Sequence, residues 1–280
     1  MRVLVTGGNG QLGRELVALL RQHHEVITTD LPELDIRDAD SVRRLARDAQ
    51  PDVVLHPAAL TDTRRCEEEP DLASEVNARG TENVARACRE SGAAMLYVST
   101  NEVFDGRKGA PYVESDAPAP INAYGRSKLA GEERVRSLLE RWWVVRTSWL
   151  YGEGAGNFPA KVLAAARERN ELSMVTDEVA TPTWARDLAA AIVALIEHQR
   201  YGVYHLTNGG ECSRFEWARE VLRLAGRNDV SLNATTLAQY NPYPPKPPYS
   251  VLANREAASL GIELRPWRAA LHKFFSARKP

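Results

Sequence analysis

The amino-acid sequence predicts an α/β protein with a doubly wound parallel sheet and a smaller C-terminal α/β lobe. Three observations predict this class: a glycine-rich turn after the first apolar run, a regular alternation of apolar strands with amphipathic helices, and a change of pattern after about Tyr151. Strands that alternate with helices indicate parallel strands joined by right-handed crossovers. We expect residues 1–150 to form the doubly wound domain and residues 151–280 to form mainly the smaller lobe, partly interleaved with the first.

The first strand and helix have the pattern of a dinucleotide-binding turn in a Rossmann-type sheet. Residues 2–6 are a short β-branched run, and residues 11–20 place their leucines on one helix face. Gly7, Gly10 and Gly13 recur at a spacing of three across this junction. Gly7 suits a tight turn, Gly10 lets the backbone approach a phosphate, and Gly13 lets the helix pack on the strand. The helix N-terminus would attract the pyrophosphate; the alternative is a glycine-rich turn without a ligand.

Asp30 follows the second predicted strand, residues 26–29. An acid at this position accepts hydrogen bonds from the adenosine ribose and repels a 2′-phosphate, which favours NADH over NADPH. Arg37 lies nearby in the sequence and would weaken that preference. The alternative role for Asp30 is a loop carboxylate or a helix cap.

The remaining elements continue the alternation. Strands are predicted at residues 53–56, 95–99 and 144–147, and helices at 39–49, 72–89 and 123–140. After about Tyr151 we expect helices at 160–169, 186–197, 215–224 and 267–275, with strands at 172–175 and 203–206. The run N-P-Y-P-P-K-P-P-Y from Asn241 can be neither a helix nor a central strand, because proline donates no backbone hydrogen bond. We expect an ordered loop over the ligand cleft; a flexible linker is the alternative.

Composition excludes several classes of function. The 36 Lys and Arg and 37 Asp and Glu residues give a net charge of −1, without a basic stripe, so nucleic-acid binding is not expected. We find no apolar run that would span a membrane and no signal-peptide pattern, so we expect a cytoplasmic protein. Cys66, Cys88 and Cys212 are scattered and are expected to be reduced thiols. Neither cysteines nor histidines have metal-ligand spacing, so no metal site is predicted.

Tyr124 and Lys128 stand four residues apart on one face of a predicted helix. Ser99 and Thr100 come at the carboxyl end of a predicted strand, where ligands bind in open α/β sheets. A carbonyl that accepts a hydride needs a proton donor, and a neighbouring ammonium would lower the phenol pKa from about 10. Thr100 would hold the substrate oxygen. With the glycine turn, the pair predicts redox chemistry on a carbonyl or alcohol with NADPH or NADH; the alternative is a surface tyrosine and lysine.

Longer runs extend beyond these motifs. They are T-G-G-N-G-Q-L-G from Thr6, D-I-R-D from Asp35, P-D-V-V-L-H-P-A-A from Pro51, S-T-N-E-V-F-D-G from Ser99, Y-G-R-S-K-L-A-G-E from Tyr124, R-T-S-W-L-Y-G from Arg146, A-T-P-T from Ala180 and R-P-W-R-A-A-L from Arg265. In these runs the chain resembles the dTDP-4-dehydrorhamnose reductase family of the extended short-chain dehydrogenases/reductases, over nearly its whole length. The resemblance implies reduction of the C4 ketone of dTDP-4-dehydro-β-L-rhamnose to dTDP-L-rhamnose with NADPH or NADH. The resemblance is also compatible with a homodimer of this chain.

The resemblance also implies roles for the matching residues. Gly10, Gln11 and Leu12 would contact the cofactor phosphates, Asp30, Asp35 and Ile36 the adenosine, and Ala59, Leu60 and Thr61 the path to the nicotinamide. The catalytic set would be Thr100, Tyr124 and Lys128, with Tyr124 and Lys128 also touching the cofactor. Asn101 and Trp149 would touch the deoxysugar, and Lys246 would meet the diphosphate. Trp149 as a core aromatic and Lys246 as a solvated loop lysine are the alternatives.

The chain departs from the family pattern in two places. The family often has an acid where this chain has Asn101 and a tyrosine where it has Glu102, so we expect altered substrate contacts. It also tends to carry V-D-K-A-E where this chain has T-R-R-C-E from Thr63. Two other readings stay open: a different nucleotide-sugar reductase or a 4-epimerase of the same superfamily, and a non-catalytic NADP-binding subunit like the regulatory β subunit of methionine adenosyltransferase.

Overall fold

The computed structural model describes residues 1–154 and 156–277. Its strands are β1 (Arg2–Thr6), β2 (Glu25–Thr29), β3 (Val53–His56), β4 (Ala94–Thr100), β5 (Trp142–Thr147), β6 (Leu150–Tyr151), β7 (Glu171–Val175), β8 (Val179–Ala180), β9 (Thr183–Trp184), β10 (Gly202–His205), β11 (Cys212–Ser213) and β12 (Ser231–Thr235). Its α-helices are α1 (Gln11–Leu20), α2 (Ala39–Ala49), α3 (Thr63–Glu68), α4 (Pro70–Ser74), α5 (Thr81–Ser91), α6 (Ala123–Leu138), α7 (Phe158–Glu168), α8 (Ala185–Glu197), α9 (Arg214–Leu224), α10 (Leu237–Tyr240), α11 (Arg255–Ala258) and α12 (Trp267–Ser276).

Six parallel strands form the central sheet in the order β10–β5–β4–β3–β1–β2. Successive side chains of a strand point to opposite faces, so alternating residues enter two different cores. Leu55 and Leu96 pack with α1 and α8 on one face, whereas Val54 and Met95 pack with α2 and α5 on the other. Helices therefore cover both faces, as a parallel sheet requires. The predicted Rossmann-type α/β fold class is confirmed.

One predicted helix is divided in the structure. We expected a single helix over residues 72–89, but the chain forms α4, a π-helix at Glu75–Gly80, and then α5. The π-helical turn contains Asn77, whose buried side chain bonds to the Leu60 backbone and to Ser127. A π-turn inside a helical region is rare and is found mostly at functional sites. The sequence did not indicate this turn, because the contacts of Asn77 join it to segments that are distant in the chain.

The strand expected at residues 203–206 completes the central sheet. Val203 of β10 pairs with Val144 of β5, although the two residues lie far apart in sequence. The preceding helix, α8, packs against α1 through Leu188 and Ile192. Two elements that follow residue 150 thus lie with the N-terminal sheet. The division of the chain near residue 150 stays a prediction.

A second apolar core lies among the later elements. It joins Tyr151, Leu172, Trp217 and Phe274 from β6, β7, α9 and α12. Three two-stranded sheets, β7–β12, β8–β11 and β6–β9, accompany this core. None of the helices in the described part of the chain is long and apolar enough to cross a membrane.

Residues 241–250, the proline-rich strap, are ordered against both parts of the molecule. Ser250 donates its backbone N–H to Val179 at 2.9 Å, and Val179 donates to Pro248 at 2.7 Å. On the other side, a Cβ added to Gly106 would lie 2.7 Å from Pro248. These contacts tie the strap to the loop after β4 as well as to β8, so it is not a flexible linker.

Candidate active site

A cleft of about 950 Å³ runs along the carboxyl edge of the sheet. The winding of the sheet reverses between β1 and β3, and open α/β sheets bind ligands at such switch points. The cleft brings together every residue that the sequence suggested for the site: Gly7, Gly10, Gln11, Leu12, Gly13, Asp30, Asp35, Ile36, Ala59, Leu60, Thr61, Thr100, Asn101, Tyr124, Lys128, Trp149 and Lys246.

The glycine turn has no room for larger residues. Gly7 has a φ of +63°, and a Cβ there would lie 2.9 Å from the Ala58 backbone. A Cβ on Gly13 would lie 2.1 Å from the Gly7 carbonyl oxygen. No side chain caps the N-terminus of α1, and the buried Gln11 Oε1 has no hydrogen-bond partner among the described residues. Free N–H groups at a helix N-terminus suit a pyrophosphate, so these residues fit a dinucleotide.

Asp30 and Arg37 do not form an ion pair with each other. The Asp30 carboxylate accepts the backbone N–H groups of Asn9 and Leu31, each at 2.8 Å. The Arg37 guanidinium instead donates to Asp35, with Nη2 at 2.6 Å from Oδ2. This pairing lowers the pKa of the Asp35 carboxyl below its usual value. The carboxylate of Asp30 therefore lines the cleft without a salt bridge to Arg37.

Asn77 fixes the loop that lines the middle of the cleft. Its amide accepts from the Leu60 N–H at 2.8 Å and donates to the Leu60 carbonyl and to Ser127 Oγ, each at 3.0 Å. Ser127 belongs to α6, so one buried side chain joins the loop at residues 59–61 to the helix that carries Tyr124. Sequence reasoning missed Asn77, because a lone asparagine within a helical pattern gives no local signal.

Thr100 and Tyr124 meet at the end of β4. Burial raises the pKa of the Tyr124 phenol well above 10, the charge of Glu102 raises it further, and a hydrogen bond with Thr100 opposes both effects. We expected Lys128 to lower this pKa. Burial has the larger effect on this pKa, because the phenolate loses more stabilisation on leaving water than the surrounding groups provide.

Lys128 is buried one helical turn from Tyr124, with 2% of its surface exposed. Its Nζ lies 4.1 Å from the centre of the Tyr97 ring. Among the described residues, this Nζ makes no hydrogen bond and no ion pair. Burial lowers the pKa of the Lys128 ammonium to about 7, with Glu132 acting in the opposite direction. A buried amine whose donors are free is well suited to hydroxyl groups of a ligand.

Glu132 anchors helix α6 to the sheet beneath the cleft. Its carboxylate accepts from Ser99 Oγ at 2.6 Å and from Arg146 Nε and Nη2 at 2.9 and 2.7 Å. The Glu132 and Arg146 side chains are 0% and 2% exposed. Ser99 directly precedes Thr100, so this network fixes α6 and its Tyr124 relative to β4 and its Thr100. No pattern in the sequence indicates this pairing beyond the presence of the two charges.

The proline-rich strap closes one end of the cleft. Asn101 Nδ2 donates to Ser250 Oγ at 2.7 Å. Lys246 Nζ lies 3.1 Å from Glu102 Oε1 and 3.0 Å from Thr63 Oγ1. Asn101 and Lys246, both expected to meet the substrate, thus already have partners within the protein. Glu102 and Thr63 belong to the two runs in which the chain departs from the family pattern.

Trp149 stands at the opposite wall in a strained backbone conformation, with a φ of +41°. A bulky residue with positive φ is uncommon and is found mostly at functional sites. The Arg214 guanidinium lies 3.7 Å from the centre of the Trp149 ring, and Trp217 stacks on Trp149 at 5.5 Å. Arg214 also pairs with Glu178 at 3.0 Å. Arg214, Trp217, Phe158 and Lys161 all line the cleft, and sequence reasoning missed all four.

A Rossmann-type sheet, an uncapped glycine turn and a Tyr-x-x-x-Lys helix beside a strand-end threonine define a protein of the short-chain dehydrogenase/reductase class. The comparison with known families is more specific. The family model described as the RmlD substrate binding domain matches residues 1–279, and the chain belongs to this family.

The relatives cover nearly the whole chain. The spore coat polysaccharide biosynthesis protein SpsK of Bacillus subtilis (strain 168) is 39% identical over 278 residues, which are 99% of this chain and 98% of the relative. The dTDP-4-dehydrorhamnose reductase of Streptomyces griseus is 39% identical over 99% of this chain and 93% of its own. The crystal structure of dTDP-4-dehydrorhamnose reductase from Bacillus anthracis in complex with NADP is 36% identical, with a TM-score of 0.95 and 99% of both chains covered.

Proposed function

We propose that this protein is an NAD(P)H-dependent oxidoreductase that reduces the C4 ketone of dTDP-4-dehydro-β-L-rhamnose to dTDP-L-rhamnose. The observation that carries the proposal is the meeting of Thr100 and Tyr124 at the carboxyl end of β4. They lie in one cleft, between an uncapped helix N-terminus on one side and the Trp149–Arg214 pair on the other. Full-length relatives named as dTDP-4-dehydrorhamnose reductases support the substrate.

Different residues along the cleft would contact different parts of the cofactor. The backbone of Gly10, Gln11 and Leu12 would hold the pyrophosphate, and the carboxylates of Asp30 and Asp35 would stand near the adenosine. The loop at residues 59–61 would guide the cofactor toward Lys128, whose amine would bind ribose hydroxyl groups. NADPH or NADH, when bound, supplies the hydride.

Tyr124 would supply the proton of the reduction. As the C4 carbon gains a hydride, the developing oxygen anion takes the phenol proton, and the ketone becomes an alcohol. The Thr100 hydroxyl holds the same oxygen in place beside the phenol. A phenol whose pKa is raised by burial stays protonated at neutral pH, which is the form that a reduction needs.

The nucleotide sugar would lie between the catalytic residues and the far wall of the cleft. Trp149 offers a flat apolar face to the deoxysugar, as the resemblance implied. Arg214 and Lys161 offer cations to the diphosphate, and arginine recognises phosphate by paired hydrogen bonds. Homodimer formation, a cytoplasmic location and the absence of nucleic-acid binding stay predictions.

One assay tests the proposal directly. Purified protein is mixed with NADPH and dTDP-4-keto-6-deoxyglucose, with and without the 3,5-epimerase, and loss of NADPH absorbance is followed. We expect oxidation that depends on the epimerase and is lost in Tyr124→Phe. Oxidation without the epimerase would identify a reductase of a different nucleotide sugar. No oxidation in either mixture, with NADPH still bound, would indicate a non-catalytic binding protein. Tightly retained cofactor after purification would favour an epimerase.

A further inference from the structure

Glu102 contacts residues before and after Tyr124 in the chain. Its carboxylate accepts a hydrogen bond from Asn122 Nδ2 at 2.6 Å, and Asn122 is the N-cap of the helix that carries Tyr124. Its backbone carbonyl packs against Gly125, where an added Cβ would lie 2.1 Å from the oxygen. The Glu102 side chain is only 13% exposed. A largely buried carboxylate therefore lies at the start of the helix that carries Tyr124, and its charge raises the pKa of the Tyr124 phenol.

The proline-rich strap supplies the opposite charge. Lys246 Nζ lies 3.1 and 3.3 Å from the two carboxylate oxygens of Glu102. The Asn122 amide also donates to the Pro245 carbonyl at 3.0 Å, so the strap backbone is fixed at the same point. Since Lys246 is 17% exposed, water screens this pair less than it would a surface pair. The strap thus brings a cation to the anion beside Tyr124.

The other charged or titratable groups around Tyr124 do not belong to the strap, and each has contacts or an environment of its own. They are Lys128 on α6, Cys66 and Glu67 on α3, and Tyr97 on β4. Glu67 accepts the backbone N–H of Ala123 and lies 3.7 Å from Arg126, while burial raises the pKa of the Cys66 thiol to about 11 and keeps it neutral. Lys128 lies over the Tyr97 ring. Glu102 and Lys246 remain as the opposed pair that the strap controls.

We propose that Glu102 and Lys246 are positioning residues that set the proton affinity of Tyr124 in opposite directions. Glu102 strengthens the hold of the phenol on its proton, and Lys246 offsets that effect when the strap is in place. The inference rests on the proposed function, in which Tyr124 exchanges a proton with the substrate oxygen. If the Lys246–Glu102 pair only held the strap in place, removing either residue would have the same effect on the rate. Opposite shifts of the pH profile therefore distinguish the proposal from a purely mechanical role.

The reverse reaction shows the effect most clearly. When dTDP-L-rhamnose is oxidised by NADP⁺, the C4 hydroxyl gives its proton to Tyr124, and the C4 carbon gives its hydrogen as a hydride to the nicotinamide. Tyr124 must then be a phenolate, so the rate rises with pH up to its pKa. Removing the Glu102 charge stabilises the phenolate and moves this rise to lower pH. Removing the Lys246 charge leaves Glu102 uncompensated and moves it to higher pH.

The experiment compares pH–rate profiles of the oxidation for wild type, Glu102→Gln, Lys246→Met and the double variant. We expect shifts of about one pH unit downward for Glu102→Gln and about one upward for Lys246→Met. The double variant should lie between the two single variants, because both charges are absent and their opposite effects offset each other. Glu178→Gln is the matched control: its pair with Arg214 has a similar length and exposure but lies at the other wall. It should leave the pH profile in place, whatever it does to KM.

Two outcomes would overturn the inference: shifts of both single variants in the same direction, or no shift in either. An inactive wild type would contradict the proposed function instead. In that case the phenolate absorbance of Tyr124, taken as the difference between each protein and its Tyr124→Phe form during a pH titration, still tests the inference. The same opposite shifts are expected there. Folding of each variant is checked by its far-UV spectrum and NADPH binding.

Discussion

Glu132 and Arg146 form an ion pair of 2.7 Å that is almost entirely shielded from water. The pair joins the helix of Tyr124 to the strand next to that of Thr100. Ser99 donates a third hydrogen bond to the same carboxylate. Because Arg146 Nη1 has no further partner among the described residues, the guanidinium depends on Glu132 for its stabilisation.

Replacing Glu132 by alanine is expected to lower the free energy of unfolding by about 3–5 kcal/mol, because a buried guanidinium would lose its counter-charge. Urea denaturation measures the change. The matched control is Glu68→Ala, which breaks an exposed pair with Arg64 and should cost less than about 1 kcal/mol. Equal losses in the two variants would contradict the anchoring role of Glu132.

Tyr124→Phe is expected to reduce turnover by on the order of 10²-fold or more, the scale of positioned acid catalysis. The affinity for NADPH should hardly change, since only the hydroxyl is removed. Steady-state rates and fluorescence titration with NADPH measure the two quantities. Turnover at the wild-type level would exclude Tyr124 as the proton donor.

Lys128 should make cofactor binding depend on pH. Burial lowers the pKa of its ammonium to about 7 in the free protein, and a ligand that binds the charged form must raise that pKa. Binding of NADPH should therefore weaken as the pH rises through about 7. Lys128→Met should bind NADPH more weakly and without this dependence. A mutant that keeps the wild-type affinity and the same pH dependence would leave Lys128 outside the site.

Asp30→Ala is expected to raise the preference for NADPH over NADH by roughly tenfold, equivalent to about 1.4 kcal/mol, because it removes a carboxylate from the region of the 2′-phosphate. The ratio of kcat/KM for the two cofactors measures it. Asp30→Asn removes the charge but keeps an acceptor for one of the two backbone N–H groups, which bond to different oxygens of the Asp30 carboxylate. If only the alanine variant changes the ratio, loop support and not charge is responsible.

Two buried histidines should make the fold sensitive to acid. Burial lowers the pKa of His56 and of His205 to about 3 each, below the value of about 6.5 in an unfolded chain. As the pH falls below about 6.5, these histidines bind protons in the unfolded chain but not in the folded protein. The free energy of unfolding therefore decreases until about pH 3. Each histidine contributes a slope of about 1.4 kcal/mol per pH unit.

Urea denaturation of His205→Gln at several pH values should show a shallower decrease than the wild type. His198→Gln, a change at an exposed position, should follow the wild-type slope. An unchanged slope in His205→Gln would mean that His205 is protonated in the folded protein.

Local patterns predicted much of the molecule, since they depend on residues close in the chain. Helix α1 and helix α2 have the predicted bounds, because their apolar residues repeat at the period of a helix. The π-turn around Asn77 was not predicted. Asn77 in this turn accepts a hydrogen bond from Leu60, and such a contact leaves no periodic signal in the sequence. Strand β10 was expected, but its place beside β5 depends on pairing between distant segments.

By itself, the sequence determined the glycine turn and the Tyr124–Lys128 spacing, because backbone sterics and helix period act over a few residues. Only the tertiary structure decided which charges would face the site. Glu102 meets Lys246 across 144 residues of chain, and Glu132 meets Arg146 beneath the sheet edge. Such contacts depend on how helices and loops pack around the sheet. Burial then makes each charge matter, because a poorly solvated charge needs a partner.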